Sequence, residues 1–368
     1  MKLNSALILM ATLPLFLHKT SAKNIFDADK PSKVGNRPNK NGNKGNSGNP
    51  GSNNGRRIGK LGKQTSSRAS AADCDLDLDI QIFDDLDTTK FKPDEKACRK
   101  GKSFVGSDNN GKKHITLVPS KGVEGAFTAS VTDVDTGAVY SIGPDANGKM
   151  VVVERLQEDY DDEEDPLDLM DDDDRALSEA LFAQEDASGG ALRGSSDGNN
   201  KNRALQTKTT IDVMVLWTPS AECKQSGLPS LCSRTAQTEA NIRGLIDLAV
   251  EETNTAYDLS GVNAELRLVH AAYTDYTEST NASPLTALRV NGDSKMDEAH
   301  SLRTQYGADA VALIVGDKYR FCGQASVGPR KESMFSVTKY SCATGYFSFG
   351  HEIGHNMVGL FSFCDCLV

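Results

Sequence analysis

Tryptophan occurs once in 368 residues, aromatic types make up 6% of the chain and apolar types 38%. That is little side chain to bury for this length, so part of the chain is predicted to lie outside any core. No run of 18 or more apolar residues occurs, which excludes an apolar spanning helix and stable membrane insertion by one. Positive charge is in deficit. Against 51 Asp and Glu stand 41 Lys and Arg, a net charge of −10 at pH 7, which argues against nucleic acid as a partner. The deficit is uneven: residues 23–70 hold eleven Lys/Arg against two Asp, and residues 157–187 hold fifteen Asp/Glu against one Arg.

What is present divides the chain into five stretches. Lys2, an apolar run over 6–17 and the small residues Thr20-Ser21-Ala22 describe a secretory signal peptide over 1–22. It predicts a secreted, extracellular protein whose eight cysteines can pair. Residues 23–72 form a basic, Gly/Asn-rich segment that cannot offset its ordering entropy and is expected to be disordered. Order is expected from Asp73, where Asp73, Asp75, Asp77 and Asp79 alternate with Cys74, Leu76, Leu78 and Ile80 in the period of a strand. These acids do not form a calcium loop, because the loop glycine and the closing Glu are missing.

Further strands are predicted over 114–118, 126–133, 138–142 and 150–155, with turns at Asp135-Thr136-Gly137 and Asn147-Gly148. Residues 73–156 therefore read as a small β-rich, propeptide-like unit holding the pair Cys74 and Cys98. Residues 157–203 read as a linker: an acidic tract that repels itself and does not pack, then a Gly/Ser/Asn stretch. Lys201 and Arg203 lie there in reach of proteases.

Residues 204–368 alternate strand and helix, the pattern of a layered α/β domain with helices on a mixed sheet. Strands are predicted over 210–217, 264–272, 308–315 and 335–339, and a long helix over 234–257. A second helix is predicted from an N-cap at Ser294 to Tyr306, and a last one from Phe347. Cys223 with Cys232 and Cys322 with Cys342 are the expected disulfides, while Cys364 and Cys366 are too close for an easy bridge. Asn281-Ala282-Ser283 is a glycosylation acceptor weakened by Pro284.

One motif carries chemistry: His351-Glu352-Ile353-Gly354-His355. On a helix, residues four apart share a face, so both imidazoles can reach one ion with Glu352 beside them. Zinc suits such nitrogen ligands and tolerates an open position for water. The metal activates that water, and Glu352 is the expected general base and acid of a metal-assisted peptide hydrolysis.

HEIGHNM resembles the zinc helix of metzincin endopeptidases, more closely the reprolysin-like branch. IDVMVLWTP, IDLAVEETNTAY, SGVNAELRLVH, the MDEAHSLRTQYGAD run and SCATGYFSFGHEIGHNM resemble the secreted peptidyl-Asp metalloendopeptidases, over about Ile211 to Met357. The resemblance implies a metzincin upper subdomain, a zinc cofactor, peptide or protein substrates and endopeptidase activity. It carries His351 and His355 over as metal ligands and Glu352 as the catalytic residue. It also implies cleavage beside acidic residues, for which Arg320, Arg330 and Lys331 are cations of the right sign but not assigned. Cys98, in KACRKGK, does not resemble a cysteine switch.

After Met357 the resemblance stops. In H-E-x-x-H-x-x-G-x-x-H the glycine position holds Val358 and the third ligand position Phe361, and a shift of one residue places Gly359 but sets Ser362 where His belongs. A Met-turn is expected to be missing from residues 358–368. His270 and His300 are expected to be structural rather than ligands. Residues 358–368 are expected to have no family counterpart, as if an unspliced intron were read through. Three readings follow: a secreted zinc endopeptidase made as a zymogen and clipped after the zinc helix, a pseudoprotease that binds without cutting, and a matrix-associated protein whose charged tracts bind mineral or polyanion. The first two separate on a third ligand beyond Met357, the last on salt-sensitive retention lost with residues 23–203.

Overall fold

A computed structural model describes residues 57–62, 72–121, 125–163, 208–327 and 331–357. The expected signal peptide over 1–22, Lys201 and Arg203, Arg330, Cys364 and Cys366, and residues 358–368 lie outside them. The fold is mixed α/β, with one all-antiparallel sheet followed by a helix-flanked sheet.

The first sheet holds eight strands in the order β1-β8-β7-β6-β5-β4-β3-β2. These are β1 (Arg57–Lys60), β2 (Leu78–Ile80), β3 (Thr89–Pro93), β4 (Phe104–Asp108), β5 (Lys113–Pro119), β6 (Phe127–Asp133), β7 (Ala138–Pro144) and β8 (Met150–Leu156). From β2 to β8 it is a meander in which each strand pairs with the next. Gly111, Gly137 and Gly148 take positive φ at its turns, where a side chain would strain the backbone. Its inner face buries Ile80, Phe91, Phe104, Ile115, Leu117, Phe127, Val131, Ile142 and Val152.

Two expectations fail in this sheet. Residues 57–60, predicted to be disordered, form an edge strand antiparallel to β8, with Arg57 opposite Glu154 and Lys60 opposite Val151. Backbone pairing does not need apolar side chains, and the Arg57 guanidinium adds a stacking contact 3.9 Å from the Phe83 ring centroid. The strand expected from Asp73 shrinks to Leu78–Ile80; Cys74 is tied to Cys98 before it, and Leu76 is exposed.

The second sheet holds β9 (Thr209–Trp217), β10 (Ala264–Tyr273), β11 (Ala310–Val315), β12 (Gly323–Ala325) and β13 (Phe335–Lys339), in the order β10-β9-β11-β13-β12. All pairings are parallel except the edge strand β12, which runs antiparallel to β13. The continuous apolar run of β9 is explained by burial on both faces. Val213, Val215 and Trp217 pack on one side against Ile242, Leu245, Ile246 and Ala249 of the long helix, while Met214 and Leu216 pack on the other with Leu285, Leu288 and Ala299.

The helices are α1 (Pro219–Gln225), α2 (Ala236–Leu259), α3 (Pro284–Arg289), α4 (Glu298–Tyr306) and α5 (Ser348–Met357). Thr235 caps α2 by accepting from the Thr238 N–H. Ser294 does not cap α4. It takes φ 63° in the preceding loop, and Asp297 stands at the N-cap, its carboxylate accepting from the Gly292 and Ser294 N–H groups. None of the helices over the described residues is long and apolar enough to cross a membrane. The three expected disulfides are present: Cys74–Cys98, Cys223–Cys232 and Cys322–Cys342.

Helix α2 is covered on two sides, by its own sheet and by the antiparallel one. Gly244 permits the second contact, since a Cβ there would stand 2.4 Å from Thr128 Oγ1 of β6. Polar residues of α2 are buried by the same contact. Glu251 accepts from Ser103 and pairs with Arg99 and Lys102, and Glu252 accepts from the Ser130 hydroxyl and, at 2.8 Å, from the Gly345 N–H. Burial pushes the Glu252 carboxyl up to about 7, against the stabilising effect of those two donors on its charged form.

Candidate metal centre

Helix α5 is seated by its apolar side. Phe349 and Ile353, four residues apart, are buried in the core that α2 shares with β9. Gly350 lets α5 cross α2 closely, a Cβ there falling 2.8 Å from Thr253 Oγ1. At the far end Asn356 donates from Nδ2 to the Ser326 carbonyl at 2.7 Å and the Phe335 carbonyl at 3.0 Å, tying the helix across β12 and β13. The turn into the helix is tight: Phe347 takes φ 66°, uncommon for an aromatic residue, and the His351 N–H donates to its carbonyl.

The face left by this packing holds the motif. Nε2 of His351 and Nε2 of His355 stand 2.9 Å apart, their rings nearly perpendicular. With Glu352 they form a group whose ligand atoms all lie within 4.8 Å of one another. Burial drives both imidazoles towards the neutral form, His351 down to about 4 and His355 to about 3, with His351 adding to the effect on His355. Neutral rings offer lone pairs at physiological pH, which a divalent cation requires. The two imidazoles fit two of the three protein ligands of a catalytic zinc, whose nitrogens at about 2.0–2.1 Å from the metal stand about 3.3 Å apart in a tetrahedron. A small ring rotation closes the difference.

Glu352 is almost wholly buried, at 1% exposure, and its Oε1 lies over Gly323 of the edge strand. A Cβ on residue 323 would fall 2.2 Å from that oxygen, so the glycine makes the room in which the carboxyl sits. The Cys322–Cys342 disulfide fixes this corner by linking the entry of β12 to the turn after β13.

His351, Glu352 and His355 are thus brought together as the sequence indicated. The other histidines do not join them among the described residues: His270 stacks on Tyr306 at 3.8 Å, His300 lies against Phe335, and His114 is on β5 of the other sheet. The Arg320 guanidinium stacks on Phe321 at 4.2 Å.

The acidic linker is where expectation fails most. Residues 157–163 pack rather than float, and their Glu163 carboxylate accepts from the Ser348 hydroxyl of α5 and lies against the Glu352 carboxyl. Burial pushes the Glu163 carboxyl up, so the two carboxyls can meet without two full charges. Glu163, Ser348, Gly323, Lys339 and Asn356 are the site neighbours that sequence reasoning missed. No local pattern could have found Glu163, whose partner Ser348 lies 185 residues away.

Two neutral imidazoles and a buried carboxyl on one helix, beside an antiparallel edge strand, form a cluster of the kind that could hold a metal ion. The chain matches, over residues 245–359, the family described as Metallo-peptidase family M12B Reprolysin-like. It is also homologous over part of its length to proteins named peptidyl-Asp metalloendopeptidase. The protein of that name from Stenotrophomonas maltophilia (strain R551-3) is 36% identical over 151 residues, which are 40% of this chain and 33% of the relative. The one from Xanthomonas campestris pv. campestris is 41% identical over 117 residues, 31% of this chain and 28% of the relative. The chain thus spans about a third of the length of these relatives. A solved structure titled "Structure of a chaperone-substrate complex" superposes on 41% of this chain and 24% of its own at 18% identity, with a TM-score of 0.31, too slight a likeness to carry an argument. The family match runs two residues past Met357, where the sequence pattern was expected to end.

Proposed function

We propose that the chain is a secreted zinc endopeptidase made as a zymogen, with His351 and His355 as metal ligands and Glu352 as the catalytic acid/base. The observation that carries the reading is the convergence of two neutral imidazoles and one buried carboxyl on α5. Bound there, zinc supplies Lewis acidity, lowering the pKa of a water from 15.7 towards about 7 and polarising a peptide carbonyl. The Glu352 carboxylate would take a proton from an attacking water and pass it to the leaving amine. Its burial over Gly323 holds it in one place and excludes bulk water. Asn356 and the Phe349–Ile353 face keep the two imidazoles aimed together by fixing the helix.

The metzincin upper subdomain is the fold that fits this reading, with β12 as the antiparallel edge. The substrate class follows from the relatives' name: peptides cut beside aspartate. Three disulfides suit an oxidising, extracellular compartment. The zymogen form rests on the close packing of the antiparallel sheet against α2 and of Glu163 against Ser348 and Glu352.

The test is hydrolysis of aspartate-containing peptides by the full chain, before and after tryptic cleavage at Lys201 and Arg203. The expected result is activity that appears on cleavage, is lost to a zinc chelator, and falls at least a hundredfold in Glu352→Gln. Activity that survives Glu352→Gln, or a chain that binds zinc and cuts nothing after cleavage, overturns the reading. The second outcome is the one a pseudoprotease gives.

A further inference from the structure

Beyond β8 the chain makes one short 3-10 turn (Gln157–Asp159) and then crosses to the metal centre as four consecutive anchored residues. The Tyr160 ring stacks on Tyr346 at 4.3 Å with the planes 7° apart. The Asp161 carboxylate accepts from Lys339 Nζ. The Asp162 carbonyl accepts from the Cys322 N–H at 2.9 Å, the residue that leads into edge strand β12. Glu163 takes the Ser348 hydroxyl and meets Glu352. Backbone at the edge strand and side chains on either side are the contacts an extended peptide makes when it adds to a sheet.

Lys339 gives this segment a chemical meaning. It lies on β13 with its side chain only 7% exposed, and Asp161 is the carboxylate it meets. An ammonium buried to that degree is costly without an anionic partner. When Asp161 leaves, the place it vacates calls for another carboxylate. The segment also ends with a carboxyl against Glu352, the group that must be free to handle a proton. Residues 160–163 therefore hold both the position of a peptide at the edge and the catalytic carboxyl itself.

We propose that Tyr160–Glu163 is an internal substrate mimic, lying along the entry of the edge strand where a peptide substrate lies, and that Lys339 is the residue that selects an acidic side chain there. This deepens the zinc endopeptidase reading and rests on it. The acidic tract is then a built-in occupant of the cleft, whose departure frees Glu352 and exposes Lys339 to the substrate. Lys339 acts on specificity by holding a carboxylate. It does not take part in bond cleavage.

The test uses the full zinc-loaded chain and a fluorescein-labelled peptide of residues 157–166, read by fluorescence anisotropy. A neutral peptide with Asn and Gln replacing its acids serves as comparison. In the wild type the segment competes with the probe. In Asp161→Ala/Glu163→Ala the acidic probe is expected to bind at least tenfold more tightly than to the wild type, and at least tenfold more tightly than the neutral peptide. Adding Lys339→Met brings the acidic-to-neutral ratio near one, and Lys339→Arg keeps it. Hydrogen exchange at the Cys322 amide rises at least tenfold in Asp161→Ala/Glu163→Ala. Equal probe binding by wild type and the loosened chain overturns the proposal, as does a ratio of one in the loosened chain that retains Lys339, a result independent of whether Lys339→Met folds. Because the readout is binding, a chain that selects the acidic probe but cuts nothing contradicts the peptidase reading and leaves the selection by Lys339 demonstrated.

Discussion

Replacing Glu252 by Gln tests how the two sheets are held together. Glu252 sits on α2, with the Ser130 hydroxyl from β6 on one oxygen and the Gly345 N–H on the other, and it is buried between the two units. Burial raises its carboxyl from 4.5 to about 7. The folded chain therefore binds this proton more tightly than the unfolded chain. The resulting stabilisation is complete below about 4.5 and lost as pH rises through about 7. At about 1.36 kcal/mol per pH unit the loss is about 3 kcal/mol. Glutamine mimics the protonated acid, presenting a carbonyl oxygen to Gly345 and an NH2 group to Ser130. Urea unfolding, followed by Trp217 fluorescence from pH 4.5 to 8, is the assay. Glu163 and Glu278, whose carboxyls burial also pushes up, contribute equally to both proteins, so the difference between them isolates Glu252. The wild type is expected to lose about 3 kcal/mol more than Glu252→Gln across that range. Parallel curves would refute the argument.

Three further substitutions read other parts of the account. Gly323→Ala sets a Cβ 2.2 Å from Glu352 Oε1. Because Cδ and Cγ of the buried Glu352 also lie 2.6 Å from that Cβ, the carboxyl must be displaced: the melting temperature is expected to drop and kcat to fall about a hundredfold or more with little change in KM, as steady-state kinetics would show. Asn356→Ala removes two donations and leaves the Ser326 carbonyl without its donor from α5; the expected cost is about 1–3 kcal/mol by denaturant unfolding. Gly244→Leu wedges α2 away from Thr128, so tryptic halves that co-elute on size exclusion in the wild type should separate in the variant.

The candidate metal cluster was legible because its residues are close in sequence. His351, Glu352 and His355 fall within one helical turn and a half, and the helix needs only Phe349 and Ile353 to seat it. The disulfides were legible for the same reason, each closing a short separation of 24, 9 or 20 residues. β9 was readable from its apolar run, since both its faces are covered.

What escaped the sequence depends on distant partners. Arg57–Lys60 is polar and glycine-containing, and becomes a strand through backbone pairing with β8 nearly a hundred residues on. β12 is three residues, Gly-Gln-Ala, too short to show a period. The acidic tract was judged by its own charge, whereas Lys339, Ser348 and Tyr346 supply what 160–163 need from the far end of the chain. Ser294 was misplaced as a cap because the chain turns between it and the helix: Asp297 takes the N-cap position, and its carboxylate accepts from the Gly292 and Ser294 N–H groups upstream rather than from the helix.

The central claim is that α5 carries a zinc site made by His351 and His355. Equilibrium dialysis of the full chain against zinc, with metal counted by mass spectrometry, tests it directly, using wild type, His351→Ala, His355→Ala and Glu352→Gln. One bound zinc is expected in the wild type and in Glu352→Gln, and at least a hundredfold weaker binding in each histidine variant. Zinc retained unchanged after either histidine is removed would contradict it.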